Sequence, residues 1–305
     1  MIVVFGSLHA DIVMQVDKLP LPGETTLCPA YHLVPGGKGA NQAIAASQAG
    51  SIVKLFGCVG DDAFGKLVLT RLETSAVDLT YLMHHKGAAT GCALVCMDPQ
   101  GKTMTTVASG VNRKLQARDV PDSVLTQDTT LLLQMETLPE ENWALIRRAK
   151  RGGARVVLNL APASLIPSDI FPLLDVLIVN QMDAAFLALH LGTEVVAPAA
   201  AARYVVATYG ITCVVTLGAE GALICSSAGT WKIKAMEDQP LRTEDAFVGV
   251  LAASLDAGCD LALALRRASA ASGLTSLTEG GHLNFPTDDK IRANLKKIPP
   301  PRQVT

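Results

Sequence analysis

The segment Gly36-Gly37-Lys38-Gly39-Ala40-Asn41 combines residue types that bind a polar ligand closely. Glycines let the backbone approach a ligand and adopt angles that side chains forbid. Lys38 adds a cation, and Asn41 adds an amide that both donates and accepts hydrogen bonds. Because the alanine-rich residues 40–49 favour a helix, the glycines are predicted at its N-terminus, where free N–H groups suit a polyhydroxylated or anionic ligand. The alternative interpretation is a plain glycine turn before a buried helix.

The composition indicates a globular α/β protein. The 305 residues suffice for one large domain or two smaller ones. Hydrophobic residues make up 49% but aromatics only 4%, which is typical of a sheet covered by alanine-rich helices. The net charge of −2, without a basic tract, argues against nucleic acid or an anionic membrane as partner.

The seven cysteines are scattered and form no Cys-x-x-Cys pair, so neither a disulfide framework nor a zinc site is expected. The N-terminus enters the strand-like residues 2–5 at once, without a charged leader. No apolar stretch of the sequence is long enough to span a membrane without interruption. We therefore expect a cytoplasmic protein.

The order of predicted elements indicates a doubly wound, mainly parallel sheet flanked by helices. Strands and helices alternate from residue 131 onward, with strands at 131–135, 155–160, 176–179 and 213–217. A smaller sheet is predicted beside it, from short strands at 12–16, 25–33, 91–97 and 103–108. The proline-rich residues 299–301 are predicted to be disordered.

A second glycine segment, Gly60-Asp61-Asp62-Ala63-Phe64-Gly65-Lys66, matches part of a P-loop. Leu67 occupies the position where a P-loop needs Ser or Thr for magnesium. Two aspartates would also repel a phosphate in that loop. A helix start capped by Asp61 or Asp62 explains the segment better.

Several further segments, in their order and spacing, resemble the ribokinase-like (PfkB) family of carbohydrate kinases, and within it the ribokinases most closely. The resemblance covers nearly the whole chain and is most specific at Gly36–Ala43. The segments are Gly6-Ser7-Leu8-His9-Ala10-Asp11, Pro22-Gly23-Glu24-Thr25, Gly36-Gly37-Lys38-Gly39-Ala40-Asn41-Gln42-Ala43, Gly60-Asp61-Asp62, Asn159-Leu160-Ala161-Pro162-Ala163 and Thr216-Leu217-Gly218-Ala219-Glu220-Gly221.

The resemblance implies one kinase domain over residues 1–305, with a small β-sheet lid built from about 11–34 and 91–108. The implied activity is transfer of the γ-phosphate of ATP, with Mg²⁺, to the primary hydroxyl of ribose or a related pentose. Implied sugar contacts are Asp11, Gly37, Lys38, Asn41 and Glu136. The family is often dimeric through the lids, so a homodimer is expected. Nucleoside and hexose-phosphate kinases are the alternatives within the enzyme class, and the ribokinase-type block at 36–43 argues against both.

Nucleotide contacts are implied for Asn180, Thr216, Gly218 and Gly221, and a magnesium contact for Asp183. Asn180-Gln181-Met182-Asp183 resembles the family's Asn-x-x-Glu motif, with an acid one methylene shorter. A magnesium contact from Asp183 through water would fit that shorter side chain. The alternative for Asp183 is a helix cap, and the alternative for the glycine pair is a simple turn between strands. For Asp11 and Glu136 the alternatives are a turn cap and a solvated loop carboxylate.

The chain departs from the family at the catalytic segment, which there reads Asp-Thr-Thr-Gly-Ala-Gly-Asp-Ala-Phe. Here it reads Arg242-Thr243-Glu244-Asp245-Ala246-Phe247. Asp245, the candidate catalytic base, aligns with either family aspartate, and the glycines that form the anion hole are absent. Either the chain truly lacks this loop and is an impaired, binding-only relative, or the sequence omits residues of a mobile loop; the two intact flanks favour omission.

Two further positions bear on the ligands. His9 stands where the family usually has an asparagine that contacts the sugar, which leaves the preferred sugar open. Glu279-Gly280-Gly281 resembles the loop that, with the missing segment, forms the family's monovalent-cation site. A potassium-like ion is therefore expected, with only half of its site represented.

Overall fold

A computed structural model describes residues 1–193, 197–236, 244–276 and 284–304. Its strands and helices follow in chain order. They are β1 (Ile2–Phe5), β2 (His9–Gln15), β3 (Tyr31–Gly36), α1 (Lys38–Gln48), β4 (Val53–Gly60), α2 (Ala63–Glu73), β5 (Leu82–His85), β6 (Gly91–Met97), β7 (Thr103–Ala108), β8 (Thr130–Leu133), α3 (Pro139–Arg151), β9 (Arg155–Asn159), β10 (Val176–Asn180), α4 (Gln181–His190), α5 (Pro198–Tyr209), β11 (Thr212–Thr216), β12 (Ala222–Ser226), β13 (Gly229–Ile233), α6 (Glu244–Asp256), α7 (Leu261–Ser276), α8 (Asp288–Asn294) and β14 (Arg302–Gln303).

The main sheet has the strand order β14-β13-β12-β11-β10-β9-β8-β1-β4-β5. The strands from β5 to β11 are parallel, and β12, β13 and β14 add an antiparallel edge. Helices cover both faces, as expected for strands buried on both sides. The predicted doubly wound α/β fold is confirmed.

The smaller sheet has the order β3-β2-β6-β7, in which β2 and β6 run parallel and the outer pairs antiparallel. Its strand boundaries differ from the sequence-based ones, because β2 begins at His9 and β3 covers Tyr31–Gly36. Pairing explains the shift, since His9 lies opposite Gly36 and the ladder then runs to Met14 opposite Tyr31. The turn before Gly101, whose N–H donates to the carbonyl of Asp98 at 2.9 Å, connects β6 to β7.

The core lies on both faces of the main sheet because side chains alternate along each strand. On β1, Ile2 and Val4 belong to the core on the side of α1, α6 and α7, while Val3 and Phe5 belong to the core on the opposite side, which includes residues of α3, α4 and α5. Small residues let the helices approach closely. A Cβ added to Gly249 of α6 would lie 2.6 Å from the carbonyl oxygen of Gln42 on α1.

Strand order reverses at β1, because the chain continues to β4 on one side of it and to β8 on the other. Open α/β sheets bind ligands at such a switch point, beyond the carboxyl ends of the strands. The segments after β1, β8, β9, β10 and β11 all emerge at this edge, and α1 begins beside it.

Two further sequence-based expectations bear on the fold. Asp62 caps α2, with Oδ1 accepting a hydrogen bond from the N–H of Gly65 at 2.7 Å, so the helix-cap interpretation of the P-loop-like segment is confirmed. The predicted disorder of residues 299–301 stays a prediction, although Arg302–Gln303 directly after them forms β14 alongside β13 and gains backbone hydrogen bonds there.

All seven cysteines are free thiols. Within the described ranges, no helix is both long and apolar enough to cross a membrane.

Candidate active site

The glycine segment joins β3 to α1 and packs against the turn after β1. Gly37 is the N-cap of α1 and has a φ of 102°. A Cβ on this residue would lie 2.6 Å from the carbonyl oxygen of Ser7. Both the positive φ and the close approach require glycine here, so the helix start is held tightly against β1.

The first N–H groups of α1 are already occupied by protein atoms. The N–H of Lys38 donates to Oε2 of Glu136 at 3.0 Å, and the N–H of Gly39 lies 3.4 Å from Oγ of Ser7. The N–H of Ala40 donates to the carbonyl oxygen of Ser7 at 3.0 Å. The expectation of free N–H groups facing a ligand is therefore wrong for these three. The anion at this helix end is Glu136, and ligand binding falls to the side chains.

Glu136 follows β8 and is not the solvated loop carboxylate that sequence alone allowed, because its side chain is only 9% exposed. Its Oε2 accepts a hydrogen bond from Oγ of Ser7 at 2.5 Å and lies 3.3 Å from Nε2 of His9. Burial alone would raise the pKa of Glu136. The hydrogen bond and charge of His9, with Lys38 and Ser7, instead lower that pKa to about 2.

Asp11 lies at the inner face of the smaller sheet, beside His9. Its Oδ1 is 2.6 Å from Nδ1 of His9, and its side chain is 18% exposed. Oδ2 has no hydrogen-bond partner among the described residues. This oxygen is therefore available to a ligand hydroxyl, as the sugar-binding prediction requires, and the turn-cap alternative is not what the contacts show.

Asp245 lies in the first turn of α6 and meets two amides of α1. Nδ2 of Asn41 donates to its Oδ2 at 3.0 Å, and Nε2 of Gln42 donates to its Oδ1 at 2.9 Å. The predicted sugar-binding amide and the predicted base are thus in direct contact across 204 positions of sequence. Each carboxylate oxygen keeps a second acceptor site, so Asp245 can still take a proton.

The ammonium group of Lys38 is surrounded by acids. Burial alone would lower its pKa, but the charges of Asp245, Glu244, Glu136 and Asp183 raise it above the usual value. Lys38 therefore remains a cation at neutral pH, surrounded by these four acids.

Asn180 and Asp183 start α4. Oδ1 of Asn180 accepts the N–H of Asp183 at 2.8 Å, so the helix cap is Asn180, and the interpretation of Asp183 as the cap is wrong. Oδ1 of Asp183 accepts the N–H of Ala163 at 3.1 Å, while its buried Oδ2 has no hydrogen-bond partner within the described part of the chain. Burial and the charge of Glu244 raise the pKa of Asp183 to about 6.

An orphaned carboxylate oxygen of this kind fits a divalent cation. The described parts of the chain contain no cluster of three His, Cys, Asp or Glu side chains that could hold a metal by themselves. Magnesium, however, commonly keeps several waters and binds through one or two carboxylates plus substrate phosphates. Asp183 therefore fits a magnesium ion that a nucleotide helps to bind.

Thr216, Gly218 and Gly221 occupy the hairpin from β11 to β12. Thr216 ends β11, with Oγ1 3.4 Å from Oε1 of Glu244. Gly218 has a φ of 58°, and a Cβ there would meet nothing within 4 Å, so its surface is open to a ligand. Gly221 differs, because a Cβ there would lie 2.7 Å from the backbone nitrogen of Ala235. A glycine is therefore required at position 221 for the packing of the hairpin, whether or not a ligand binds.

The structure adds two charged residues that the sequence prediction missed. Nη1 of Arg71 on α2 donates to Oδ1 of Asn41 at 2.7 Å. Glu244 begins α6, with Oε1 3.4 Å from Nδ2 of Asn159. Burial, with the charge of Asp245, raises the pKa of Glu244. A signal for Arg71 existed, because it falls on the same helical stripe as Phe64 and Val68, which face the core.

Part of the predicted site lies outside the described residues. This applies to Arg242 and Thr243 before α6, and to Glu279-Gly280-Gly281 of the expected monovalent-cation site. The potassium prediction therefore stays a prediction.

Comparisons with known proteins find one family over nearly the whole chain. The sequence pattern of the pfkB family carbohydrate kinases matches residues 1–288. A ribokinase from Haemophilus influenzae is 31% identical over 292 residues, which are 93% of this chain and 94% of the relative.

Two solved structures share the fold over almost their whole length. A ribokinase from Thermotoga maritima superposes with a TM-score of 0.83 at 26% identity, covering 97% of this chain and 99% of the other. An Arabidopsis thaliana ribokinase complexed with ribose and ATP superposes with a TM-score of 0.82 at 26% identity, covering 97% and 98%.

Proposed function

Since the chain belongs to the pfkB family of carbohydrate kinases, we propose that it transfers the γ-phosphate of ATP to the primary hydroxyl of ribose or a related pentose. The observation that carries the proposal is the contact between Asn41 and Asp245. This contact joins the polar side chains at the start of α1, those of Lys38 and Asn41, to a carboxylate at the N-terminus of α6. A sugar hydroxyl bound by these side chains would lie beside a group able to accept its proton.

On the sugar side, the chain offers acceptors and donors for hydroxyl groups. Oδ2 of Asp11 accepts from a sugar hydroxyl, while the Asn41 amide and Lys38 side chain donate. Asp245 then removes the proton of the attacking hydroxyl as its oxygen bonds to the γ-phosphorus and the bond to ADP breaks. General-base help of this kind contributes about 10²–10⁴-fold in rate.

On the nucleotide side, the open surface at Gly218 and the hydroxyl of Thr216 suit the phosphates of ATP. Asp183, with its unpartnered Oδ2, would hold Mg²⁺, which neutralises phosphate charge when bound. The Lys38 cation would lie between the bound sugar and the nucleotide phosphates, where negative charge develops on the transferred phosphoryl group.

One observation favours a second candidate function, a sugar- or nucleotide-binding protein with little turnover. The segment before α6 lacks the glycines that form the family's anion hole, and the first residue of α6 is an acid, Glu244. Loss of such oxyanion donors lowers kcat by about 10²–10³-fold. We therefore expect slow turnover in comparison with kinases in general, which run at about 1–100 per second.

The test is ADP release measured against a panel of pentoses, deoxypentoses and nucleosides, together with thermal shifts for each ligand. Sugar-dependent ADP release from a pentose supports the kinase. Stabilisation by sugar and by ATP without turnover supports the binding protein. The absence of both responses across the whole panel contradicts both candidates.

We also propose a homodimer that forms through the outer face of the smaller sheet. Alternation along β2 puts Ile12 on the face opposite Asp11, in one row with Leu33 and Leu94. Leu33 is 42% and Leu94 45% exposed. Such an apolar row favours burial against a second copy. L94K should shift the protein from dimer to monomer in sedimentation, and an unchanged mass for L94K would contradict this interface.

Use of ATP supports a cytoplasmic site of action, since that compartment supplies the nucleotide. The smaller sheet carries Asp11 on its inner face, which supports its role as a lid over the sugar within one domain of residues 1–305.

A further inference from the structure

The carboxylate of Asp245 is held by two side-chain amides from consecutive residues of α1. Asn41 and Gln42 each donate one N–H to a different oxygen of it. Both amides are buried, with Asn41 at 7% and Gln42 at 0% exposure. The position of the base therefore depends on which way each amide is turned, because the carbonyl end of an amide would repel the carboxylate.

A second layer of donors fixes the two amides. Nη1 of Arg71 donates to Oδ1 of Asn41, and Nε2 of Gln134 donates to Oε1 of Gln42, both at 2.7 Å. These two donors are not equivalent. Gln134 is itself an amide and can turn round, whereas a guanidinium has no acceptor and can only donate. At Asn41, the partner therefore dictates the orientation of the amide.

Arg71 is held where it can do this. Its guanidinium lies over the ring of Phe285, 4.9 Å from the centroid, in a cation–π arrangement. Phe285 is itself only 9% exposed. Burial lowers the pKa of Arg71 to about 10, while the charges of Asp245 and Asp11 oppose that shift. The group therefore stays charged at neutral pH.

We propose that Arg71 is a positioning residue, which fixes the amide of Asn41 so that this amide holds the carboxylate of Asp245 for proton abstraction. The inference rests on the proposed function for the role of Asp245 as base. The orientation of the carboxylate by Arg71 through Asn41 does not depend on turnover and can be tested separately.

Among the described residues, the charged groups that face Asp245 come from three elements. They are Lys38 on α1, Arg71 on α2 and Glu244 on its own helix. Replacing Arg71 with Met keeps an apolar stem beside Phe285 but removes both a cation and the donor that orients Asn41. Each loss makes the charged form of Asp245 less favourable than it is in the wild type.

The first measurement is the titration of Asp245 by ¹³C NMR in the full chain labelled at aspartate carboxyls, with D245N to assign the signal. R71M should raise the pKa of Asp245, and R71K should raise it less, because Lys keeps a charge but loses the planar fork. K66M removes an exposed cation from the same helix and should leave the pKa of Asp245 unchanged. If the pKa of Asp245 in R71M equals that of the wild type, the inference is overturned. If R71M does not fold, the pKa of Asp245 in R71K is compared with the wild type instead, and an equal value overturns the inference.

Kinetics give a second, separable readout. In R71M the acidic limb of the kcat profile should move to higher pH, and added guanidinium should partly restore kcat. A rise in KM for the sugar with an unchanged profile would instead mean that Arg71 contacts substrate, and would overturn the positioning role. If the wild type turns over no sugar, the proposed function fails, while the NMR titration still decides the role of Arg71.

Discussion

Nδ1 of His9 lies 2.6 Å from Oδ1 of Asp11, two residues further along the same strand. Residues at this spacing share one face of a strand, so the pair follows directly from β2. The opposite nitrogen of the ring reaches Glu136, on a segment 127 positions away. Burial alone would lower the pKa of His9, but these two carboxylates raise it to about 10. The imidazolium thus holds both predicted sugar acids in place.

This pair predicts how stability depends on pH. The pKa of His9 is above its unfolded value near 6.5, so its contribution is complete below about pH 6.5 and is lost as pH rises towards about 10. We expect the Tm of the wild type to fall by about 5 °C or more between pH 7 and 10. The fall should be smaller in H9N, while H84N, at an exposed histidine, should follow the wild type. If the Tm of H9N and that of the wild type fall equally between pH 7 and 10, His9 does not stabilise the fold through Asp11 and Glu136.

Asp183 predicts the magnesium dependence. D183N keeps the shape of the side chain but removes the charge that its unpartnered Oδ2 offers to a cation. The Mg²⁺ concentration for half-maximal activity should rise about 10-fold, because a carboxylate ligand is lost. D169N, at an exposed surface ion pair, is the control. If D183N and the wild type need the same Mg²⁺ concentration, Asp183 does not hold the ion.

Glu244 predicts the nucleotide affinity. Its buried carboxylate lies beside Thr216, at the proposed phosphate end of the site. Negative charge there opposes the phosphates of ATP, and E244Q removes it with little change of shape. We expect KM for ATP to fall about 3-fold or more, since charges interact strongly in a poorly solvated site. E73Q, at an exposed acid of α2, should have no effect. A higher KM for ATP in E244Q would show that the acid assists binding.

The two glycines of the β11–β12 hairpin should respond differently to substitution. G221A places a Cβ against the backbone of Ile233 and Ala235 at a φ of 95°, so it should destabilise the fold by about 2 kcal/mol or more. G218A meets no neighbouring atom and should lower the Tm less, while weakening ATP binding. Calorimetry with and without ATP separates the two effects. Equal losses of Tm in the two variants would contradict this assignment.

The resemblance to the family, rather than a local pattern, assigned Asp11, Glu136, Asn180 and Thr216 to the site. Glu136, Asn180 and Thr216 end or follow parallel strands, whose carboxyl ends meet at one edge of a sheet, whereas Asp11 lies within β2 of the smaller sheet. Their chemical neighbours could not be predicted so directly. The contact of Arg71 with Asn41 and that of Asn41 with Asp245 depend on how α1, α2 and α6 pack together.

The occupied N-terminus of α1 shows the same limit. Free N–H groups are a reliable feature of an isolated helix, but the fold brings Glu136 to them from 98 positions away. The spacing of residues in the sequence does not predict that Glu136 contacts the N-terminus of α1. The strand limits of the smaller sheet also moved, because pairing with β2 rather than local composition decides where β3 begins and ends.

The variant N41A should raise KM for the sugar and lower kcat, because Asn41 serves both the sugar and the base.

The most direct test of the account is ribose-dependent ADP release by the wild type and by D245N, at saturating ATP and Mg²⁺. We predict that the wild type releases ADP only when a pentose is present, and that D245N loses about 10²-fold or more of this rate while it still binds ribose in a thermal-shift assay. Equal ADP release by D245N and the wild type would contradict the assignment of Asp245 as the base.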